Sequence, residues 1–370
     1  MWKKEERKNM KQPHRLANAF RIYLLFGLLA VALLSGLVAA RPPARAAAAT
    51  APMQCNSYRI PVSASVLDLT TYHVAAWLCY QQTPGQAVQI LVHGGTYNHT
   101  YWDFSCSACQ TNDYSYVRYM AQAGYTTFNY DRLGYGQSDH LLPELVTVQM
   151  EAYVLSQLMT DLKTGADGLP QFQKEVLVGH SIGSAIVADE ASNPTLARPD
   201  GVILSGFLHY LDDVKLALYL TDLEPALLDP NLHTLLPGYL TTVPGTRGQI
   251  FYDLSNVDPQ VLAEDEATKD AVTDSEVLTT FTNITLSLLT AQIQVPVLEA
   301  VGQNDNLFCL GTLACTNTSA IATYEAPYYS PSAHLRLIVI PQAGHDLNLQ
   351  KNASTVWFPQ ARQWLQTYIS

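Results

Sequence analysis

The chain has 370 residues, 48% hydrophobic and 14% charged, enough apolar material for one large core and unlike a disordered, collagen-like or coiled-coil composition. Nine of the 21 Lys and Arg lie at or before Arg45, which leaves 12 basic against 30 acidic residues downstream, a formal charge of −18. A body this acidic, with no basic stripe, repels a phosphate backbone, so nucleic-acid binding is set aside.

The basic cluster opens the chain. Lys3, Lys4, Arg7, Lys8, Lys11, Arg15 and Arg21 precede an apolar stretch, residues 22–40, and small residues follow. This is the pattern of an export signal cleaved near Ala40 or Ala46. The stretch is also nearly the length of about 20 residues that a membrane span needs, so an uncleaved signal-anchor, tethering the chain through Ile22 to Ala40, is the competing reading. Either way the body is expected outside the cell, and residues 1–50 stand apart from the fold. All six cysteines lie beyond this segment, and an even count in an oxidising compartment suggests disulfides. Local pairing is the simplest arrangement: Cys55–Cys79, Cys106–Cys109 and Cys309–Cys315. Sequons stand at Asn98, Asn283, Asn317 and Asn352.

After residue 50, short strand-like runs alternate with helical patterns. Residues 58–67 and 72–81 alternate as an antiparallel pair at a sheet edge would. A continuous apolar run, 88–92 (VQILV), ends in His93-Gly94-Gly95. A helix over 114–123 is closed by Gly124, and the run 125–130 ends at Asp131-Arg132. An amphipathic helix over 146–162 stops near Gly165. Then 175–178 leads into Gly179-His180-Ser181, a helix follows over 182–191, and 201–205 (GVILS) is the next buried-type run. From about 209 to 294 there is no clear buried strand, and Leu-rich helical pieces are punctuated by Pro225, Pro230, Pro237, Pro244 and Pro259. The runs 295–301 and 335–340 and a helix over 353–368 complete the chain. The fold class predicted is α/β, a mostly parallel sheet flanked by helices: core over 51–208 and 295–370, with a helical lid inserted at 209–294.

Gly179-His180-Ser181-Ile182-Gly183 fits G-x-S-x-G, with a strand running in and a helix running out. In that setting the serine sits on a strained elbow with its hydroxyl exposed, and the glycines leave room for the tight turn. With His93-Gly94-Gly95 after one strand and Asp131-Arg132-Leu133-Gly134-Tyr135-Gly136-Gln137-Ser138 after the next, the body resembles the α/β-hydrolase superfamily. That resemblance covers about 310 residues and implies five ordered motifs: the oxyanion loop, the D-x-x-G-x-G-x-S turn, the elbow, an acid after a late strand and a terminal histidine.

A serine needs a base, and the base needs an orienting acid. His345, in a Gly-containing loop after the last strand, is the base that the resemblance implies. His334 would lie at the strand's other end, while His180 is expected to pack locally and His93 to make structural hydrogen bonds. Asp305, in Gly302-Gln303-Asn304-Asp305, completes the order Ser, Asp, His. Asp212 or Asp213 is the runner-up acid, and Asp346 is taken as a loop residue. The backbone N–H of Ile182 and that of Gly95, with Thr96 next, would hold an oxyanion. No metal cluster, phosphate loop or dinucleotide fingerprint appears, so no cofactor or metal is implied. Aromatics at 96–104 and Tyr328 and Tyr329 either wall the site or pack beneath a lid.

The function expected is cleavage of an ester or related acyl bond in a small-molecule substrate through an acyl-enzyme. Peptidase, lactonase, thioesterase or carbon–carbon bond hydrolase activity of the same fold, and a non-catalytic binding protein on that scaffold, are the rivals.

Overall fold

The computed structural model describes residues 52–369 except 112, 211–212, 287–288 and 310–313. The export or anchor segment therefore lies outside the described residues, as does Asp212. Among the described residues, no helix is long and apolar enough to cross a membrane.

The apolar runs form an eight-stranded sheet in the order β1-β2-β4-β3-β5-β6-β10-β11. The strands are β1 (Gln54–Val62), β2 (Tyr72–Tyr80), β3 (Ala87–Val92), β4 (Thr126–Tyr130), β5 (Lys174–His180), β6 (Gly201–Ser205), β10 (Val297–Gly302) and β11 (Arg336–Ile340). β2 runs antiparallel to both neighbours, β1 and β4, while β4, β3, β5, β6, β10 and β11 are parallel. The central strands are buried on both faces, which is why they read as continuous apolar runs.

Helices cover each face. On one side α2 (Val148–Thr164) and α3 (Ile182–Ser192) bury Leu155, Leu158, Met159, Leu162, Ile186 and Val187 against the sheet. On the other, α1 (Tyr116–Gln122) and α9 (Phe358–Tyr368) bring Tyr116, Met120, Phe358 and Trp364 into a second core. Each fully buried side chain of this kind contributes roughly 1.5–3 kcal/mol. The helix limits follow local chemistry. The Thr147 side chain accepts from the N–H of Met150 at the start of α2, and Gly165, with φ of 73°, ends it in the left-handed conformation.

All three expected disulfides are present. Cys55 and Cys79 are cross-strand partners on β1 and β2, and Cys106–Cys109 and Cys309–Cys315 close short loops.

The segment between β6 and β10 departs from expectation in one respect. Its helices α4 (Asp213–Thr221), α5 (Arg247–Phe251), α6 (Pro259–Thr268) and α7 (Asp274–Leu286) are joined by a small antiparallel sheet of β7 (Leu223–Pro225), β8 (Tyr239–Thr242) and β9 (Val272–Thr273). Strands of three, four and two residues are too short to show an alternation, so the segment reads as purely helical.

Candidate active site

The sheet delivers the predicted residues to one place at the carboxyl ends of its parallel strands. Ser181 follows β5 and precedes α3 with φ of 55° and ψ of −122°, a strained conformation for a non-glycine residue. Space explains the glycines on either side. A Cβ on Gly179 would lie 2.6 Å from the Gly183 carbonyl oxygen, and one on Gly183 would lie 2.2 Å from that of Val92. Side chains there would push α3 off β3 and β5.

His345 stands after β11 with its Nδ1 2.9 Å from Oδ2 of Asp305, which follows β10. The other oxygen of Asp305 accepts from the N–H groups of Leu307 and Phe308 at 2.8 and 3.2 Å, so the carboxylate is held by its own loop. Both residues are buried. Burial opposes protonation of His345, but the Asp305 charge and hydrogen bond, and then Asp346, outweigh it and raise the imidazole above its usual value. The buried Nε2 has no hydrogen-bond partner among the described residues, and Ser181 and His345 line the same pocket. Nε2 of His345 therefore makes no hydrogen bond to Ser181 in this structure.

Two backbone donors border Ser181. Ile182 is the first residue of α3, where N–H groups lack helical partners. The Gly95 N–H has no acceptor among the described residues, whereas that of Thr96 is spent on the Ala271 carbonyl at 3.1 Å. Of the two residues weighed for the second donor, only Gly95 is free to serve. Asp213 begins α4, but its side chain lies outside the described residues.

A second His–Asp pair, not anticipated, lies beside the first. His180 Nε2 is 3.0 Å from Oδ1 of Asp346, its Nδ1 is 3.3 Å from the Ser205 hydroxyl, and its ring stacks on Tyr101. The Tyr97 hydroxyl donates to the other oxygen of Asp346. Burial raises Asp346 to about 6, against the pull of His345, the Tyr97 hydrogen bond and Arg247. Burial, and then His345, push His180 well below its usual value. Asp346 is therefore no idle loop residue, and its one sequence signal is its place beside His345.

The glycine loop after β3 is locked from behind. His93 Nδ1 donates to the Gly94 carbonyl at 2.9 Å, and its Nε2 accepts from the Arg132 N–H at 3.1 Å, the structural part expected of it. The buried Arg132 guanidinium reaches the carbonyls of His93 (3.1 Å) and Gly94 (3.2 Å) and pairs with Glu276 of α7. Arg247 of the inserted segment forms a two-armed pair with Asp265 at 2.8 and 2.9 Å and reaches the Thr96 hydroxyl at 3.1 Å. The insertion is thereby bound to the loop that carries Gly95.

A pocket of about 610 Å³, part of it open to solvent, joins these elements. The core supplies Gly95, Tyr97, Ser181, Ile182, Leu307, Phe308 and His345. The insertion supplies Leu216, Tyr219, Phe251, Val277, Thr280, Phe281 and Ile284. Of the aromatics noted in the sequence, Tyr97 lines the pocket. Tyr101, Trp102 and Phe104 pack in the core, and Tyr328 and Tyr329 pack around His209.

Comparisons with known proteins agree with this architecture. Solved structures of similar fold include an esterase from Thermogutta terrifontis (17% identity, 84% of this chain and 99% of that one, TM-score 0.57). A 2-hydroxy-6-oxo-6-phenylhexa-2,4-dienoate hydrolase from Rhodococcus sp. strain RHA1 is another (16%, 86% and 100%, TM-score 0.55). A monoacylglycerol lipase from Paleococcus ferrophilus is a third (15%, 85% and 99%, TM-score 0.54). At such identities the likeness is one of fold. No curated protein matches the chain by sequence. The model of the alpha/beta hydrolase family matches residues 89–356, from β3 through the loop of His345, and the chain belongs to that family.

Proposed function

We propose that this chain is an exported serine hydrolase that cleaves a carboxylic ester with an uncharged, apolar acyl or alcohol group. Ser181 attacks the carbonyl, His345 takes its proton and returns it to the leaving alcohol, and Asp305 holds the imidazole and supports its charge. The N–H groups of Ile182 and Gly95 receive the oxyanion; losing one such donor has cost roughly 3–4 kcal/mol where measured. Water then repeats the sequence on the acyl-enzyme, so neither metal nor cofactor enters the reaction.

One observation carries the proposal: a strained Ser181 shares a pocket with the open Nε2 of a histidine whose other nitrogen is bound to a buried carboxylate. The lining supports the substrate class. Among the described residues, the lining holds no ionisable side chain apart from His345 and the phenols of Tyr97 and Tyr219. A charged acyl group would therefore lie unpaired, which counts against acidic substrates. The inserted segment, which supplies half of the pocket's lining residues, is proposed to serve as its lid. Export is supported by the three disulfides, and the stretch from Ile22 to Ala40 is proposed as the signal or tether.

The test is fluorophosphonate labelling of the purified body, read by intact mass. One adduct on wild type and none on Ser181→Ala is expected. A folded wild type that takes up no probe would sink the proposal in favour of a binding protein.

A further inference from the structure

Away from the pocket, three buried side chains converge at the feet of the inserted segment. His209 follows β6, where the segment leaves the core. Glu299 lies in β10, where the chain has returned, and Glu325 ends α8 (Thr318–Glu325). They are 6%, 0% and 0% exposed, and one nitrogen or oxygen of each lies within 4.8 Å of the others. The mechanism above uses none of them. Two carboxylates in an apolar interior are costly unless something positive faces them.

The hydrogen bonds define which atom of His209 is offered. The Thr290 hydroxyl donates to the Tyr328 carbonyl at 2.8 Å, so at 2.9 Å from His209 Nε2 it acts as acceptor, and Nε2 carries the hydrogen. Nδ1 is the nitrogen turned to the carboxylates, 2.6 Å from Oε2 of Glu325. Oε1 of Glu325 is anchored by the His209 N–H at 2.9 Å. The Tyr329 hydroxyl binds Oε1 of Glu299, while the buried Oε2 of Glu299 receives no donor among the described residues, and its carboxyl group faces that of Glu325. One imidazole with its far nitrogen fixed, one carboxylate held by a backbone donor and one carboxylate oxygen left over are the parts of a metal site with its outer supports in place.

The geometry points to a zinc-type site in which His209 Nδ1, Glu299 and Glu325 supply three ligands and a second carboxylate oxygen or a water completes the tetrahedron. Two carboxylates and a neutral imidazole balance a divalent ion in charge. Calcium needs about six to eight oxygens, more than this interior offers, whereas mixed nitrogen and oxygen ligands suit zinc. Ligands about 2 Å from a tetrahedral ion stand about 3.3 Å apart, so Nδ1 and Oε2 would part by about 0.7 Å on binding, and the proton they share would be released to solvent. The ion would join both feet of the insertion, since Thr290, at its far end, orients His209 at its start. No sequence pattern announces the site because 90 residues separate His209 from Glu299 and another 26 separate it from Glu325.

The test uses the untagged chain, stripped with chelator and dialysed against micromolar zinc, manganese or calcium, with metal counted by elemental and native mass spectrometry. One zinc per chain is expected, with a melting temperature about 5 °C or more above that of the stripped form. Glu299→Gln should bind zinc at least tenfold more weakly and lose the thermal shift. Thr290→Val, which leaves every charge in place, should weaken binding about tenfold through the freed imidazole. Should Glu299→Gln fail to fold, the Thr290→Val affinity decides alone. Wild type that retains no zinc, that prefers calcium, or that binds zinc as tightly after either substitution would overturn the assignment.

Discussion

The buried contact between Arg132 and Glu276 ties α7 to the glycine loop after β3, and a neighbouring group makes its removal testable in energy. Glu276 is the partner in contact, while Glu151 of α2 lies 3.8 Å from the same guanidinium nitrogen. Burial, with the charge of Glu276 added and that of Arg132 opposing, holds Glu151 at about 8, so at pH 7 it is mostly protonated. Removing one partner of a buried pair costs about 3–5 kcal/mol when the remaining charge is stranded. Here Glu276→Gln need not strand Arg132, because Glu151 can ionise in its place. That step costs at most about 1.4 kcal/mol, one pKa unit at pH 7, since losing the Glu276 charge also lowers Glu151. Glu276→Gln is therefore expected to cost about 2 kcal/mol, Glu151→Gln under about 1, and the double variant about 3–5, a coupling on the order of 2 kcal/mol. Equilibrium urea unfolding at pH 7 measures all four corners of the cycle. Additivity within about 0.5 kcal/mol would refute the reserve role of Glu151. The sign with pH is also set. The folded Glu151 value lies above the ordinary 4.5, so the folded chain holds an extra proton between about 4.5 and 8. Its contribution to stability falls as pH rises through that window. Glu151→Gln should flatten that slope.

Other perturbations probe the site directly. Asp305→Asn should lower kcat by roughly 10³–10⁴-fold. It should also move the acid limb of kcat/KM to lower pH, because Asp305 raises His345 and the base must be neutral to act; an unmoved limb would remove Asp305 from its role. Gly183→Ala sets a Cβ 2.2 Å from the Val92 carbonyl oxygen, backbone against backbone, and should cost several kcal/mol or prevent folding. A soluble variant with wild-type melting would contradict that close approach. Ile284→Phe narrows the pocket from α7 and should favour acetyl over hexanoyl esters by about tenfold, read from kcat/KM on the two, since added methylenes are worth about 1–3 kcal/mol. Equal losses on both esters would place the acyl group elsewhere.

Strands buried on both faces are legible in the sequence: 201–205 agrees to the residue and four others to within two, whereas the largely exposed edge strand expected over 58–67 runs over 54–62. The elbow was legible because a tight strand–turn–helix leaves its steric demand in the glycines at 179 and 183. The local disulfides were legible for a similar reason, since their partners are near in sequence. What escaped depends on distance along the chain. Arg132 reads as part of a turn until Glu276, 144 residues on, is brought against it. His180 and Asp346 look incidental beside stronger candidates until the sheet aligns them. The β7–β8–β9 sheet escaped because nine residues in three pieces hold together by pairing rather than by pattern.

The sheet order has a further consequence for how the molecule comes into being. β10 and β11 extend the sheet from β6, yet about 90 residues of insertion are synthesised between β6 and β10. A nascent chain thus displays the long-range edge of β6 before its partners exist, which slows folding and exposes it to mispairing. Ser181 emerges in the first half of the chain, and Asp305 and His345 only near its end. On the mechanism proposed here, a chain interrupted during synthesis would carry Ser181 without Asp305 and His345, a nucleophile still lacking its base.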